Sequence, residues 1–297
     1  MAVAAASLAP GPALAQTAAE RTKEATRLEF DEGKRDAAAA IYREVLKSEG
    51  NNFDALIGMG RILTIDGDYA AGRQHFEKAI AAASDTQRSA ALSSLAIAWV
   101  FAGNGAEAAK QYEQVYASQL KAGAFSPAAN TANALGRALL ETGNPDGAEK
   151  WYRTGYETSA KLRDVPAQEK DLWEMRWQHA QARIAARRKQ FDAARKHLAA
   201  VEALVAKGTL PEQQRQFLPQ LAGYIAFYQG AYDQAIAELG KADQNDPFVL
   251  WLLAQAYEQK KDTARANEAC KGILAQPGYS LQMALTRPLA QKKLAGR

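Results

Sequence analysis

Residues 67–83 read GDYAAGRQHFEKAIAAA. From Gly67, a small residue follows at Gly72, an aromatic at Phe76 and another small residue at Ala79. The same spacing recurs along the chain. Gly33 leads to Ala38, Tyr42 and Val45, and Gly103 leads to Ala108, Tyr112 and Val115. Gly143 leads to Ala148, Tyr152 and Gly155, and Gly230 leads to Ala235, Leu239 and Ala242. Two further copies open on lysine: Lys189 with Ala194, Leu198 and Val201, and Lys261 with Ala266, Cys270 and Ile273. One such stretch would describe local packing; seven in series describe an architecture.

The segment before each of these origins repeats as well. Met59 and Gly60 precede Gly67 as Leu135 and Gly136 precede Gly143, Ala222 and Gly223 precede Gly230, and Leu253 and Ala254 precede Lys261. A helix, a sharp turn and a second helix would fit each unit. A glycine at the turn accepts a left-handed backbone at little cost. Small residues let the two helices approach, and large ones fill the remaining space. Asp68 and Asp192 are placed to accept hydrogen bonds from free amides where second helices begin. A single hairpin leaves its apolar face in water; a stack buries it.

The pattern resembles the tetratricopeptide repeat, whose first helix carries Leu-Gly and whose second carries Ala, then Tyr or Phe, then Ala. The resemblance implies an all-α, right-handed superhelix of about seven hairpins with a C-terminal capping helix and an open concave face. Its repeats fall at 19–52, 53–86, 89–122, 129–162, 175–208, 216–249 and 247–280, within an array spanning 16–280. The register of the fifth stays open. Extra residues separate units around LKAGAFSPAAN and KLRDVPAQEKDLWEMRW, with Pro127, Pro166 and Pro211 marking helix breaks or restarts. Residues 281–297 form the cap, with a polar outer side.

Composition agrees with helices, because Ala, Glu, Lys, Leu and Arg dominate and no alternating strand pattern stands out. The net charge is +4, but residues 1–150 carry 15 basic against 18 acidic side chains and the remainder 22 against 15. That bias favours an acidic partner in the second half. Cys270, the one cysteine, rules out an internal disulfide and a cysteine zinc cluster, and its repeat position is a core position. Residues 1–15 read as an Ala-rich export signal, with Ala13 and Ala15 before a cut at Gln16, which predicts a periplasmic protein. No Lys or Arg precedes the apolar run, so a cytoplasmic adaptor or co-chaperone stays open as the alternative.

None of His75, His179 and His197 lies in an HExxH pattern, and there is no phosphate-binding glycine loop or GxSxG. No catalytic residue, metal ligand or cofactor is predicted. The basic run at 183–196 spreads its charge around the helix without interleaved aromatics, so nucleic acid is not a predicted partner. No apolar stretch is long enough to cross a membrane.

By the same resemblance, first-helix residues line the concave face. The inner positions include Glu141, His179, Phe217, Gln220 and Phe248, and the candidate groove is chosen from the same set. It comprises Asn130, Asn133, Arg137, Arg176, Arg183, Arg187, Tyr224, Phe227, Tyr228 and Trp251. Arginine forks suit carboxylates, and exposed aromatics beside them suit a protein anchor. The expected partner is a protein or peptide with acidic groups and apolar anchors, held by a scaffold of envelope, secretion or pilus assembly. In the competing reading the aromatics are core and the arginines pair with neighbouring carboxylates. The family's clamp for C-terminal carboxylates uses lysines that these positions lack.

Overall fold

The computed structural model describes residues 16–296. The export signal expected at 1–15 lies outside the described residues. Among those described there are fifteen α-helices and one short 3-10 turn at Glu212–Gln216. They form seven hairpins: α1 Ala18–Phe30 with α2 Arg35–Ser48, α3 Phe53–Ile65 with α4 Tyr69–Ala82, α5 Asp85–Phe101 with α6 Gly105–Lys121, α7 Phe125–Glu141 with α8 Pro145–Ser159, α9 Ala167–Arg187 with α10 Phe191–Ala206, α11 Phe217–Gln229 with α12 Tyr232–Leu239, and α13 Pro247–Gln259 with α14 Thr263–Ala275. A last helix, α15 Leu281–Leu294, follows. Each hairpin packs on the next, as in a solenoid.

The seven origins share one backbone state. Gly33, Gly67, Gly103, Gly143 and Gly230 have φ between 64° and 98°, and Lys189 and Lys261 adopt 59° and 61°. The two lysines thus accept a left-handed conformation that an L side chain resists by roughly 1–2 kcal/mol. The turn outranks the residue because the hairpins on either side fix its geometry.

Within hairpins, a glycine of the first helix faces a large side chain of the second. A Cβ on Gly60 would stand 2.6 Å from the Phe76 ring, one on Gly136 2.9 Å from Tyr152, and one on Gly223 2.5 Å from Leu239. Phe76, Tyr152 and Leu239 are buried. Where the second helix offers only Cys270, the first affords Ala254, and both are fully buried. Burial raises the Cys270 thiol above its ordinary range. Asn52, Asp68, Asn104, Asn144 and Asp262 cap their helices through side-chain oxygens. Asp192 does not. It lies inside the first turn of α10, one residue past the start, and pairs with Arg195.

Uneven spacing between units comes partly from helix length. Helices α5, α6 and α7 have 17 residues each and α9 has 21. Pro166 and Pro211 immediately precede helical segments, and Pro127 lies in the first turn of α7.

The concave face is not open along its length, which corrects the sequence expectation. Helix α15 covers α13 and α14 and also reaches the inner helices α5 and α7. Tyr279 leads into it, its ring centroid 5.8 Å from that of Phe76 and 5.5 Å from that of Phe101, and its hydroxyl donates to the Ser94 carbonyl at 2.8 Å. Leu281, Met283 and Ala284 are buried in this contact region. Their apolar surface drives the end of the chain into the curve of the earlier hairpins.

Two substitutions separate backbone strain from packing. Lys261→Gly, at an exposed turn, raises stability by about 0.5–1 kcal/mol, the relief of φ strain less the added freedom of the unfolded chain. Gly60→Ala lowers it by about 1–3 kcal/mol because Phe76 cannot move aside. Urea denaturation of the full chain measures both.

Candidate functional site

Four first helices, α7, α9, α11 and α13, converge on a cavity of about 230 Å³. Helix α7 contributes Asn130, Asn133 and Arg137 at successive turns, and α9 contributes Met175, Arg176, His179 and Arg183 at the same rhythm. Phe217, Gln220, Leu221 and Tyr224 of α11, Gln214 before it and Phe248 of α13 complete the wall. Among the described residues three arginines line this cavity, and no Asp or Glu does.

Two acids among the described residues contact the lining residues from outside the cavity: Asp246, which accepts from Gln220 Nε2 at 3.2 Å, and Glu141. The buried carboxylate of Glu141 is 3.6 Å from Arg183 Nη1 and accepts a hydrogen bond from Arg187 Nη1 at 3.1 Å. Tyr224 Oη donates to it at 3.4 Å from two hairpins further on. Burial pushes the Glu141 carboxyl up, and the charges of Arg183, Arg187 and Arg137 oppose that. Arg183 also donates to Tyr152 Oη at 2.7 Å, and Arg187 to Tyr228 Oη at 2.9 Å.

The other two arginines differ. Among the described residues neither Arg137 nor Arg176 pairs with a carboxylate. Arg137 stacks on the Phe248 ring at 5.0 Å, and its Nε is buried without a hydrogen-bond partner. Arg176 stacks on Trp173 at 4.7 Å and donates to Asn130 Oδ1 at 3.1 Å. Burial lowers the Arg176 guanidinium from its ordinary range. His179 lies edge-on to Phe217 at 6.2 Å, and its Nε2 is likewise buried and unpartnered. Burial, then the charges of Arg183 and Arg137, hold its imidazole well below the usual histidine range, so it is neutral at physiological pH.

Among the described residues no group of three or more His, Cys, Asp or Glu side chains is placed to hold a metal ion, and no helix is long and apolar enough to cross a membrane.

A family model described as tetratricopeptide repeat matches residues 24–86, 94–161 and 221–280, more than half of the chain. The chain belongs to the tetratricopeptide repeat family. Its fold is similar to a tetratricopeptide repeat protein from Parabacteroides merdae, with a TM-score of 0.57 at 14% identity over 92% of this chain and 98% of the other. The apo form of RapI gives 0.57 at 9% identity, over 94% and 99%. A kinesin light chain with TPR-like repeats from Podosopora anserina gives 0.53 at 20% identity, over 64% and 95%. These likenesses concern the fold alone. No curated protein sequence matches the chain.

Of the ten residues singled out from the tetratricopeptide pattern, the structure brings six to the cavity: Asn130, Asn133, Arg137, Arg176, Arg183 and Tyr224. Their exposure needs correction. Tyr224 is only 1% exposed and Arg183 8%, because the inner face of this array looks across at other inner helices rather than at solvent. Arg187 and Tyr228 stand behind the wall around Glu141. Phe227 packs edge-on against Tyr228 and Tyr232. Trp251 lies apart, half-buried against the core that surrounds α15. Glu141, the residue that organises the arginines, was an inner position outside the selected set. A lone acid among inner arginines is the signal that would have singled it out.

His179 gives the site a pH signature. Below about pH 6.5 the unfolded chain takes up a proton at this position that the folded chain refuses, so its stabilising contribution is present above that pH and lost as pH falls. Between pH 7.0 and 5.5 the wild type loses more stability than His179→Gln, by up to about 1 kcal/mol per pH unit. Urea titrations at the two pH values measure the difference.

Proposed function

We propose that this tetratricopeptide repeat chain is a non-catalytic scaffold that holds an acidic segment of a partner protein at the rim between α7 and α9. The observation that carries this reading is Arg176, which lies over the Trp173 ring, donates to Asn130 Oδ1 and, among the described residues, forms no ion pair. Beside it runs a surface depression of about 300 Å³ lined by Ser126, Asn130, Pro166, Leu172, Trp173 and Pro211, together with Gln168, Arg176 and one carboxylate, Glu169. An arginine held flat against an indole loses little freedom on binding and presents its fork to a carboxylate. The apolar wall of Leu172, Trp173 and the two prolines suits the neighbouring side chains of an extended segment. The basic second half of the sequence draws an acidic partner to the same region.

The setting proposed is the periplasm, in assembly of an envelope, secretion or pilus machine; it rests on residues 1–15 read as an export signal. A native protein beginning at Gln16 supports export, and an intact N-terminus in the cytoplasm supports the adaptor reading.

Capture of partners by the wild type and by Asn130→Ala/Arg176→Ala, followed by mass spectrometry, tests the rim. The folded double variant loses a defined set of partners, with affinity for the recovered partner falling about tenfold or more. Identical capture by both proteins removes the reading.

A further inference from the structure

Beneath the rim, the floor of the cavity has a chemistry that a scaffold does not require. Arg61, Arg137 and Arg183 each stand six residues before their turns, in the second, fourth and fifth hairpins. Arg61 is satisfied by Glu29, at 2.6 and 2.9 Å, and Arg183 lies against Glu141. Arg137 alone of the three pairs with no carboxylate among the described residues, and it faces the cavity. The Nε atoms of Arg137 and Arg183 and Nε2 of His179 are all buried without partners. Two of these three groups are obligate donors, and Nε2 of the neutral imidazole donates when that nitrogen carries the proton. Leaving such groups unpaired costs free energy, and all three side chains line the cavity that an acceptor would enter.

We propose that this floor is a binding site for a small organic acid: one carboxylate attached to an apolar body about the size of an aromatic ring. The carboxylate sits among Arg137, Arg183 and His179. The body packs against Phe217, Phe248, Leu221 and Met175 on the facing walls. The space suits that size, since a cavity of about 150 Å³ takes a benzene molecule and this one offers about 230 Å³. Two exclusions follow from the lining. A zwitterionic amino acid is disfavoured, because no lining carboxylate receives its ammonium group and three guanidinium groups repel it. Inorganic phosphate is disfavoured, because part of its hydration shell would be exchanged for the aromatic and aliphatic wall of Phe217, Phe248, Leu221 and Met175. The cavity shares Asn130 and Arg176 with the rim, but the acid's carboxylate is assigned to Arg137, Arg183 and His179; a scaffold without the acid site and an acid site without a partner are both coherent outcomes of the two experiments.

Calorimetric titration of the full chain with 3-phenylpropionate tests the site. The acid binds, while 3-phenylpropionamide, phenylalanine and inorganic phosphate each bind at least about tenfold more weakly. Arg137→Gln weakens the acid by about tenfold or more, and in the wild type the bound carboxylate raises the titration midpoint of His179 followed by NMR. Absence of binding at about 10 mM acid to folded protein overturns the proposal. So does equal binding of the amide or of phosphate, or undiminished binding by Arg137→Gln. If Arg137→Gln fails to fold, the ligand series on the wild type decides alone.

Discussion

One carboxylate ties three consecutive hairpins together. Glu141 ends α7, and the groups that approach it come from α9 and α11: Arg183, Arg187 and Tyr224. A buried acid is costly when alone, and removal of one member of a buried pair typically costs about 3–5 kcal/mol. The node therefore limits how far α9 and α11 can swing from α7. The cavity directly above it owes its width to that limit, and its positive character to the arginines that remain once Glu141 has taken its share.

The curvature of the array has a second consequence at the other end of the chain. Hairpins that curl far enough for Tyr224 of α11 to reach Glu141 and Phe248 of α13 to lie under Arg137 also bring α15 against α5 and α7. The inner surface at α5 and α7 is then covered by the chain's own last helix, with Tyr279 wedged beside Phe76 and Phe101. The cavity between α7, α9, α11 and α13 is lined by no residue of α15. This division explains why residues chosen for a continuous groove separate into a cavity wall, a buried node and an unrelated core position at Trp251.

Much of this was readable from spacing alone, and the reason is local. A turn with left-handed φ and a small residue facing a large one are constraints within a single hairpin, so they leave a fixed interval in the sequence. Lys189 and Lys261 are instructive here: their residue type argues against the turn, their interval argues for it, and both adopt positive φ. The inner positions of α7, α9 and α11 were likewise legible because they follow helical period. Exposure at those positions was not. It depends on the angle between successive hairpins, which accumulates from helix lengths and from the segments around Pro166 and Pro211. Nothing local marks Tyr224 as facing Glu141 from 83 positions away. The inward path of α15 was hidden for the same reason: its apolar residues specify burial, and only the curl of distant hairpins specifies where.

The central claim is that Glu141 and its arginines act as a structural unit joining α7 to α9. A double-mutant cycle with Glu141→Gln and Arg187→Gln, read by urea denaturation of the full chain, measures it most directly. The account predicts a coupling of at least about 1.5 kcal/mol, since the pair is hydrogen-bonded and largely shielded from water. Additive losses, with coupling below about 0.5 kcal/mol, would contradict it.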